Sequence, residues 1–166
     1  HTRFRNVTGV QTCALPIFRR NADIRSELLQ GQELLLVHCG RLSVEKNPAV
    51  SLNVLKNLVE KGVKARLVYV GMGPLFEKLQ RNAVGYPVTF LGYVVGPQKV
   101  AGILASADVV LAPGPHETFC LAALESLSCG TPVIASNSSA VVEILTDEDG
   151  LMCGRTCGEN LERSEE

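Results

Sequence analysis

From Glu33 to Cys153 the chain repeats one unit, a short apolar run followed by a segment with apolar residues at helical spacing. ELLLVHC (33–39) is apolar on consecutive residues and ends at Gly40, which suits a strand covered on both faces. Asn47-Pro48 then supplies a cap and a proline at the first helical position. The helix that follows carries Leu52, Leu55 and Val59 on one face and stops at Gly62. ARLVYV (65–70), PVTFLG (87–92), ADVVLAP (107–113), TPVIAS (131–136) and GLMC (150–153) are the next strands. Helices are expected from Pro74 to about Ala83, near 98–106, over 120–130 and briefly over 141–145. Six strands joined by single helices predict an α/β fold, a parallel sheet with helices on both faces. Right-handed crossovers would place every strand-to-helix loop on one edge of the sheet, where ligands of such sheets bind.

Composition narrows the classes. With 46% hydrophobic and 20% charged residues the chain is too apolar for disorder. Its 16 basic and 17 acidic side chains give a net charge of −1, which argues against a nucleic-acid partner. No window approaches the roughly 18 apolar residues of a transmembrane segment. The longest charge-free stretch, Ser126 to Val142, carries Ser, Thr, Asn, Gly and Pro. Six cysteines without regular spacing read as reduced thiols of a cytoplasmic protein.

Four loops on the expected binding edge bear on chemistry. In GRLSVEKN (40–47), Arg41 and Lys46 closely follow a strand and would suit a phosphate or diphosphate; the alternative is two solvated surface charges. VGMGP (70–74) has a Gly-x-Gly after a strand, but Phe76 stands where a dinucleotide fingerprint needs its third glycine, so this segment alone favours a tight turn. GPHETF (114–119) precedes a helix whose charged residue, Glu125, lies one turn beyond Leu121 on an apolar face. A carboxylate there is costly unless something polar meets it. Glu117 sits eight residues earlier, and the N–H groups of Phe119, Cys120 and Leu121 would form an anion site at the helix N-terminus. The alternative is Glu117 as a capping acid and Glu125 as a snorkelling surface residue. In ASNSSAVVE (135–143), helix capping and ligand contact fit the residues about equally.

The segments GRLSVEKN, LVYVGMGP, FLGYV and APGPHETFCLAALESLSCGTPVIAS, in order from about Leu34 to Gly150, resemble the C-terminal, donor-binding domain of retaining family-four glycosyltransferases. The spacing of Glu117 and Glu125 is the most specific element, and PGPHETF is most similar to members that use GDP-mannose. The resemblance implies a Rossmann-like parallel sheet, the C-terminal half of the two-domain GT-B architecture. It implies a nucleoside-diphosphate sugar as donor, GDP-mannose before a UDP-sugar. An N-terminal acceptor domain would be the partner, and the chain would be inactive without it. The full-length enzyme would be cytoplasmic, peripheral to the inner face of a membrane. Arg41 and Lys46 would bind the diphosphate, Glu117 the transferred sugar and Glu125 the ribose hydroxyls. The N–H groups of Phe119, Cys120 and Leu121 would cradle the distal phosphate. Backbone around Gly73, Tyr93 and Val94 would hold base and ribose. The family usually has glycine at the place of Cys120, where an ordinary helical conformation would still permit the N–H contact.

Such chemistry suits these groups. Glycosyl transfer passes through an oxocarbenium-like state while negative charge grows on the leaving diphosphate, and cations already aimed at that charge stabilise it. The resemblance implies reaction on one face of the sugar, with the leaving phosphate helping to take the acceptor proton and no metal required. The competing reading is a nucleotide-sugar binding module or an epimerase-like domain on a related fold. His116, the Asp147-Glu148-Asp149 turn, and Cys153 with Cys157 are expected to be incidental.

Both ends differ from the interior. VTGVQTCALPI (7–17) has neither helical nor strand periodicity and resembles a translated sequencing-library adapter. Ala14-Leu15-Pro16-Ile17 can be encoded by GCT CTT CCG ATC T, whose reverse complement, AGA TCG GAA GAG C, reads Arg163-Ser164-Glu165-Glu166. Residues 1–17 and 163–166 are therefore expected to be adapter-derived, with Cys13 among them, and 18–162 to be a fragment of the donor-binding domain. Reading the encoding DNA checks this: other codons at these positions would overturn it.

Overall fold

The computed structural model describes residues 19–115, 120–137 and the strand 150–153. The expected features at both chain ends, His116, the helix at 141–145 and the 147–149 turn lie outside them.

Six parallel strands form one sheet: β1 (Leu34–Cys39), β2 (Ala65–Val70), β3 (Val88–Gly92), β4 (Val109–Ala112), β5 (Val133–Ser136) and β6 (Gly150–Cys153), in the order β3-β2-β1-β4-β5-β6. The helices are α1 (Ala22–Leu29), α2 (Pro48–Glu60), α3 (Phe76–Asn82), α4 (Pro97–Ser106) and α5 (Leu121–Ser128). The α/β class and all six strands are those expected from the apolar runs. β1 pairs with β2 along its whole length, from Leu34 opposite Ala65 to Cys39 opposite Val70, and with β4 through Leu36–Val109 and Val37–Val110. The alternation of a strand sends neighbouring residues to opposite faces. Leu35 and Val37 join Leu28, Ile103, Leu104 and Ala123 in one core, under α1, α4 and α5. Leu36 joins Leu42, Leu52, Leu55, Tyr69 and Leu79 in the other, under α2 and α3.

Two elements depart from expectation. α3 starts at Phe76 rather than Pro74, because Gly73 to Leu75 form a turn in which the Leu75 N–H bonds the Leu42 carbonyl at 2.9 Å and the Phe76 N–H bonds that of Gly73 at 3.0 Å. α1 has no counterpart among the expected elements. Asn21 caps it by accepting from the N–H groups of Asp23 and Ile24, and a charged clasp holds it to the sheet. Asp108, just before β4, receives Arg20 at 3.0 Å, Arg25 at 2.8 Å and the Leu35 N–H at 2.8 Å. Burial pushes the Asp108 carboxyl up, but the Leu35 N–H and the two guanidiniums outweigh it and hold it below the usual range. Arg25 also bonds the carbonyls of Ser106 and Glu33.

At the carboxyl ends of the strands the first three loops are laced together by backbone. Gly40 N–H bonds Val70 O at 2.9 Å, Leu42 N–H bonds Met72 O at 3.1 Å, and Gly71 N–H bonds Gly92 O at 2.7 Å. Leu42 is fully buried and plugs the 40–47 loop into the core. A Cβ on Gly73 would run into the backbone of Leu42, and one on Gly71 into the Gly40 carbonyl. The Gly-x-Gly of this chain thus lets two loops touch, the tight-turn alternative of the sequence.

His38, near the end of β1, is a buried titratable group with Nδ1 2.9 Å from Ser51 Oγ on α2. Burial, with the nearby Lys46 charge, lowers its pKa to about 4.

Two predictions follow from packing and charge. Gly73→Ala should destabilise the fold by about 3 kcal/mol through overpacking. Gly102→Ala on α4, which meets the flexible end of Ile24, should stay within about 1 kcal/mol of the parent; urea unfolding of both measures the difference. Between pH 6.5 and 4 the unfolded chain binds a proton that folded His38 refuses, so stability falls on acidification, by about 2 kcal/mol at pH 5 relative to pH 7. Denaturant midpoints at the two pH values check this, and His38→Phe should flatten the difference.

Candidate functional site

The strand order reverses between β1 and β4: β2 and β3 lie on one side of that pair, β5 and β6 on the other. Loops diverge from such a switch point and leave a crevice at the carboxyl ends of the strands. A cavity of about 420 Å³ lies there, reached by His38, Cys39, Gly40, Arg41 and Lys46 from β1 and its loop, Leu111 and Ala112 from β4, and Cys120, Leu121, Ala122 and Glu125 from α5.

One wall is cationic. The buried Leu42 fixes the 40–47 loop, and a single turn of 3-10 helix, Val44–Lys46, follows. Asn47, in the left-handed conformation (φ 45°), then leads into Pro48 of α2. Between these anchors Arg41 is exposed and Lys46 half-buried, and both line the cavity.

The other wall is the first turn of α5. Its N-cap, Cys120, makes no side-chain capping bond and sits at φ 42°, ψ 60°. This corrects the expectation of an ordinary helical conformation at Cys120. Left-handed backbone costs a residue with a Cβ about 1–2 kcal/mol and glycine nothing, which explains why glycine suits this position. Ala123 and Ser126 face the core, while Leu121 and Glu125, one turn apart, face the cavity. The Glu125 carboxylate is half-buried and, among the described residues, has no ion pair or hydrogen bond. Burial raises its pKa, and burial, followed by the Glu125 charge, raises the Cys129 and Cys39 thiols, the latter to about 12.

Of the residues singled out in the sequence, the fold thus gathers Arg41, Lys46, Cys120, Leu121 and Glu125 around one cavity. Gly73 sits in the adjoining loop against Leu42; Tyr93 is exposed and Val94 packs partly on the core, and these three do not line the cavity. Glu117 and Phe119 lie outside the described residues. Sequence reasoning passed over His38 and Cys39, which read as part of an apolar strand. Among the described residues no group of three or more His, Cys, Asp or Glu could hold a metal ion. No helix among them is long and apolar enough to cross a membrane.

Known proteins resemble this chain in sequence and in fold. The chain is 54% identical over 132 residues to a GDP-mannose-dependent alpha-(1-6)-phosphatidylinositol dimannoside mannosyltransferase of Mycobacterium tuberculosis, a match covering 80% of this chain and 35% of that protein. The chain therefore spans about a third of that relative's length. Among solved structures, the C-terminal domain of a glycosyl transferase group 1 family protein (LpcC) from Francisella tularensis superposes with a TM-score of 0.69 at 20% identity, covering 95% of this chain and 86% of that one. Anabaena HepE in complex with UDP-glucose superposes with a TM-score of 0.68 at 18% identity, covering 90% and 46%. These likenesses show the fold, a parallel α/β sheet of the kind found in GT-B glycosyltransferases. Residues 33–162 match the family of glycosyl transferases group 1, and the chain belongs to that family.

Proposed function

We propose that the cavity binds a nucleoside-diphosphate sugar, GDP-mannose in particular. In this reading the chain is the donor half of a retaining hexosyltransferase, and an N-terminal domain of the same enzyme supplies the acceptor. The observation that carries the reading is the pairing of walls at the switch point. Arg41 and Lys46 line the same cavity as the start of α5, and Glu125, a carboxylate without an ion pair or hydrogen bond among the described residues, lies one turn further along. A diphosphate suits the first three, because charge-assisted bonds and a helix N-terminus both favour an anion. A neutral polyol such as ribose satisfies the fourth, since its hydroxyls can donate to a carboxylate that burial disfavours. The preference for GDP-mannose draws on the 54% identical relative, which is named as GDP-mannose-dependent.

The remaining roles follow the same frame. Glu117 contacts the transferred sugar, and the N–H groups of Phe119, Cys120 and Leu121 hold the distal phosphate. Backbone around Gly73, Tyr93 and Val94 holds base and ribose. Arg41 and Lys46 stabilise charge growing on the departing diphosphate, and their fixed placement spares reorganisation during the reaction. Support for a covering domain comes from the exposed apolar residues Val44, Met72, Tyr93, Val95 and Leu121, which lie on loops or a helix start at the strand-carboxyl edge. Water-exposed apolar side chains gathered on a binding edge fit a surface that another domain covers. The enzyme would work at the inner face of a membrane.

Calorimetric titration of the chain tests these roles. Arg41→Ala should weaken GDP binding about 10- to 100-fold, the worth of a charge-assisted hydrogen bond, and leave guanosine binding unchanged. Glu125→Ala should weaken GDP and guanosine alike, by about 5- to 10-fold. Wild-type chain that bound neither GDP, UDP nor GDP-mannose would overturn the reading. Unchanged affinity in Glu125→Ala would overturn the ribose role.

A further inference from the structure

The cavity floor holds a side chain that the roles above leave unused. His38 is 2% exposed and reaches the cavity beside Arg41 and Lys46. Its ring is fixed from two sides. Nδ1 meets Ser51 Oγ at 2.9 Å, and the Tyr69 ring packs on it with centroids 5.4 Å apart. Tyr69 is itself pinned, donating its O–H to the Pro48 carbonyl at 2.6 Å and stacking on Phe90.

Local bonding decides where the His38 proton sits. Ser106 and Ser128 donate their hydroxyls to the carbonyl four residues back. Ser51, fully buried, instead has His38 Nδ1 as its partner. If Nδ1 carried the proton, the Ser51 hydroxyl hydrogen would be buried without an acceptor, which is costly. Ser51 therefore donates, Nδ1 accepts, and the proton lies on Nε2. No buried side-chain nitrogen or oxygen among the described residues lacks a partner. Nε2, which has none among them, is accordingly the edge of the ring that meets the cavity. The lowered pKa of His38 keeps the ring neutral at pH 7, a donor that adds direction without adding charge.

We propose that His38 binds the diphosphate of the donor, its Nε2–H hydrogen-bonding a phosphate oxygen held between Arg41, Lys46 and the start of α5, and that Ser51 is the residue that positions it. The assignment rests on the nucleoside-diphosphate reading of the cavity. His38→Phe keeps a ring to pack on Tyr69 but removes the donor. His38→Gln restores an N–H near the place of Nε2.

Titration with GDP, inorganic pyrophosphate and guanosine is the test, with thermal melts to confirm folding. His38→Phe should weaken GDP and pyrophosphate about 5- to 10-fold and leave guanosine unchanged, while His38→Gln stays within about 3-fold of the parent. Nitrogen-15 NMR of the wild-type imidazole at pH 7 should show the proton on Nε2, and Ser51→Ala should mix the two tautomers. Equal GDP binding by folded His38→Phe would overturn the assignment, as would a proton on Nδ1. The NMR measurement needs no variant and decides the matter should His38→Phe unfold. Failure of the underlying reading looks different: the wild-type chain would bind neither GDP nor pyrophosphate, and the assignment falls with it.

Discussion

The backbone lacing of the first three strand-to-helix loops is the constraint on which the site depends. Gly40, Leu42 and Gly71 each give an N–H to the loop or strand beside them, and Leu42 is buried as the plug. A loop carrying two cations would ordinarily splay into solvent, because each charge prefers water and repels the other. Here the bonds that fix the loop carrying Arg41 and Lys46 are made by main chain. Gly73 is what permits it, since any Cβ there would separate the 40–47 loop from its neighbour.

The charge distribution follows from this frame. Lowering the cost of a cationic wall requires opposite partial charge nearby, and the start of α5 faces it with positive dipole as well. Both walls are therefore electropositive, and the cavity favours an anion. Glu125 is the exception, a carboxylate set a full turn back on the same helix and raised in pKa by burial. Two polarities within one crevice suit a ligand whose parts differ in the same way, charged at one end and hydroxylated at the other.

Much of the fold was legible because strands buried on both faces leave consecutive apolar residues, and each run from β1 to β6 announced itself that way. α1 did not. Its apolar residues, Ile24, Leu28 and Leu29, are few, and it is held by Arg20 and Arg25 reaching Asp108, some eighty residues on, which no local pattern encodes. The cations and Glu125 could be placed at one edge because they flank predicted strands. His38 could not be recognised, since its polarity is expressed toward Ser51 and Tyr69, both remote in sequence. The conformation of Cys120 was misjudged for a related reason: a helix pattern locates a first turn but not the handedness of the residue that opens it.

The alternation of β1 has one more consequence. His38 and Cys39 are adjacent in sequence, yet one lies among the side chains of α2 and the other packs against the layer of α4 and α5. The crevice is thus a seam where two separately packed layers meet, its floor made jointly by both. A change of volume deep in either layer, far from any polar group, reaches the floor through a single peptide unit, so the shape of the site is a common property of two cores rather than a feature of the loops alone.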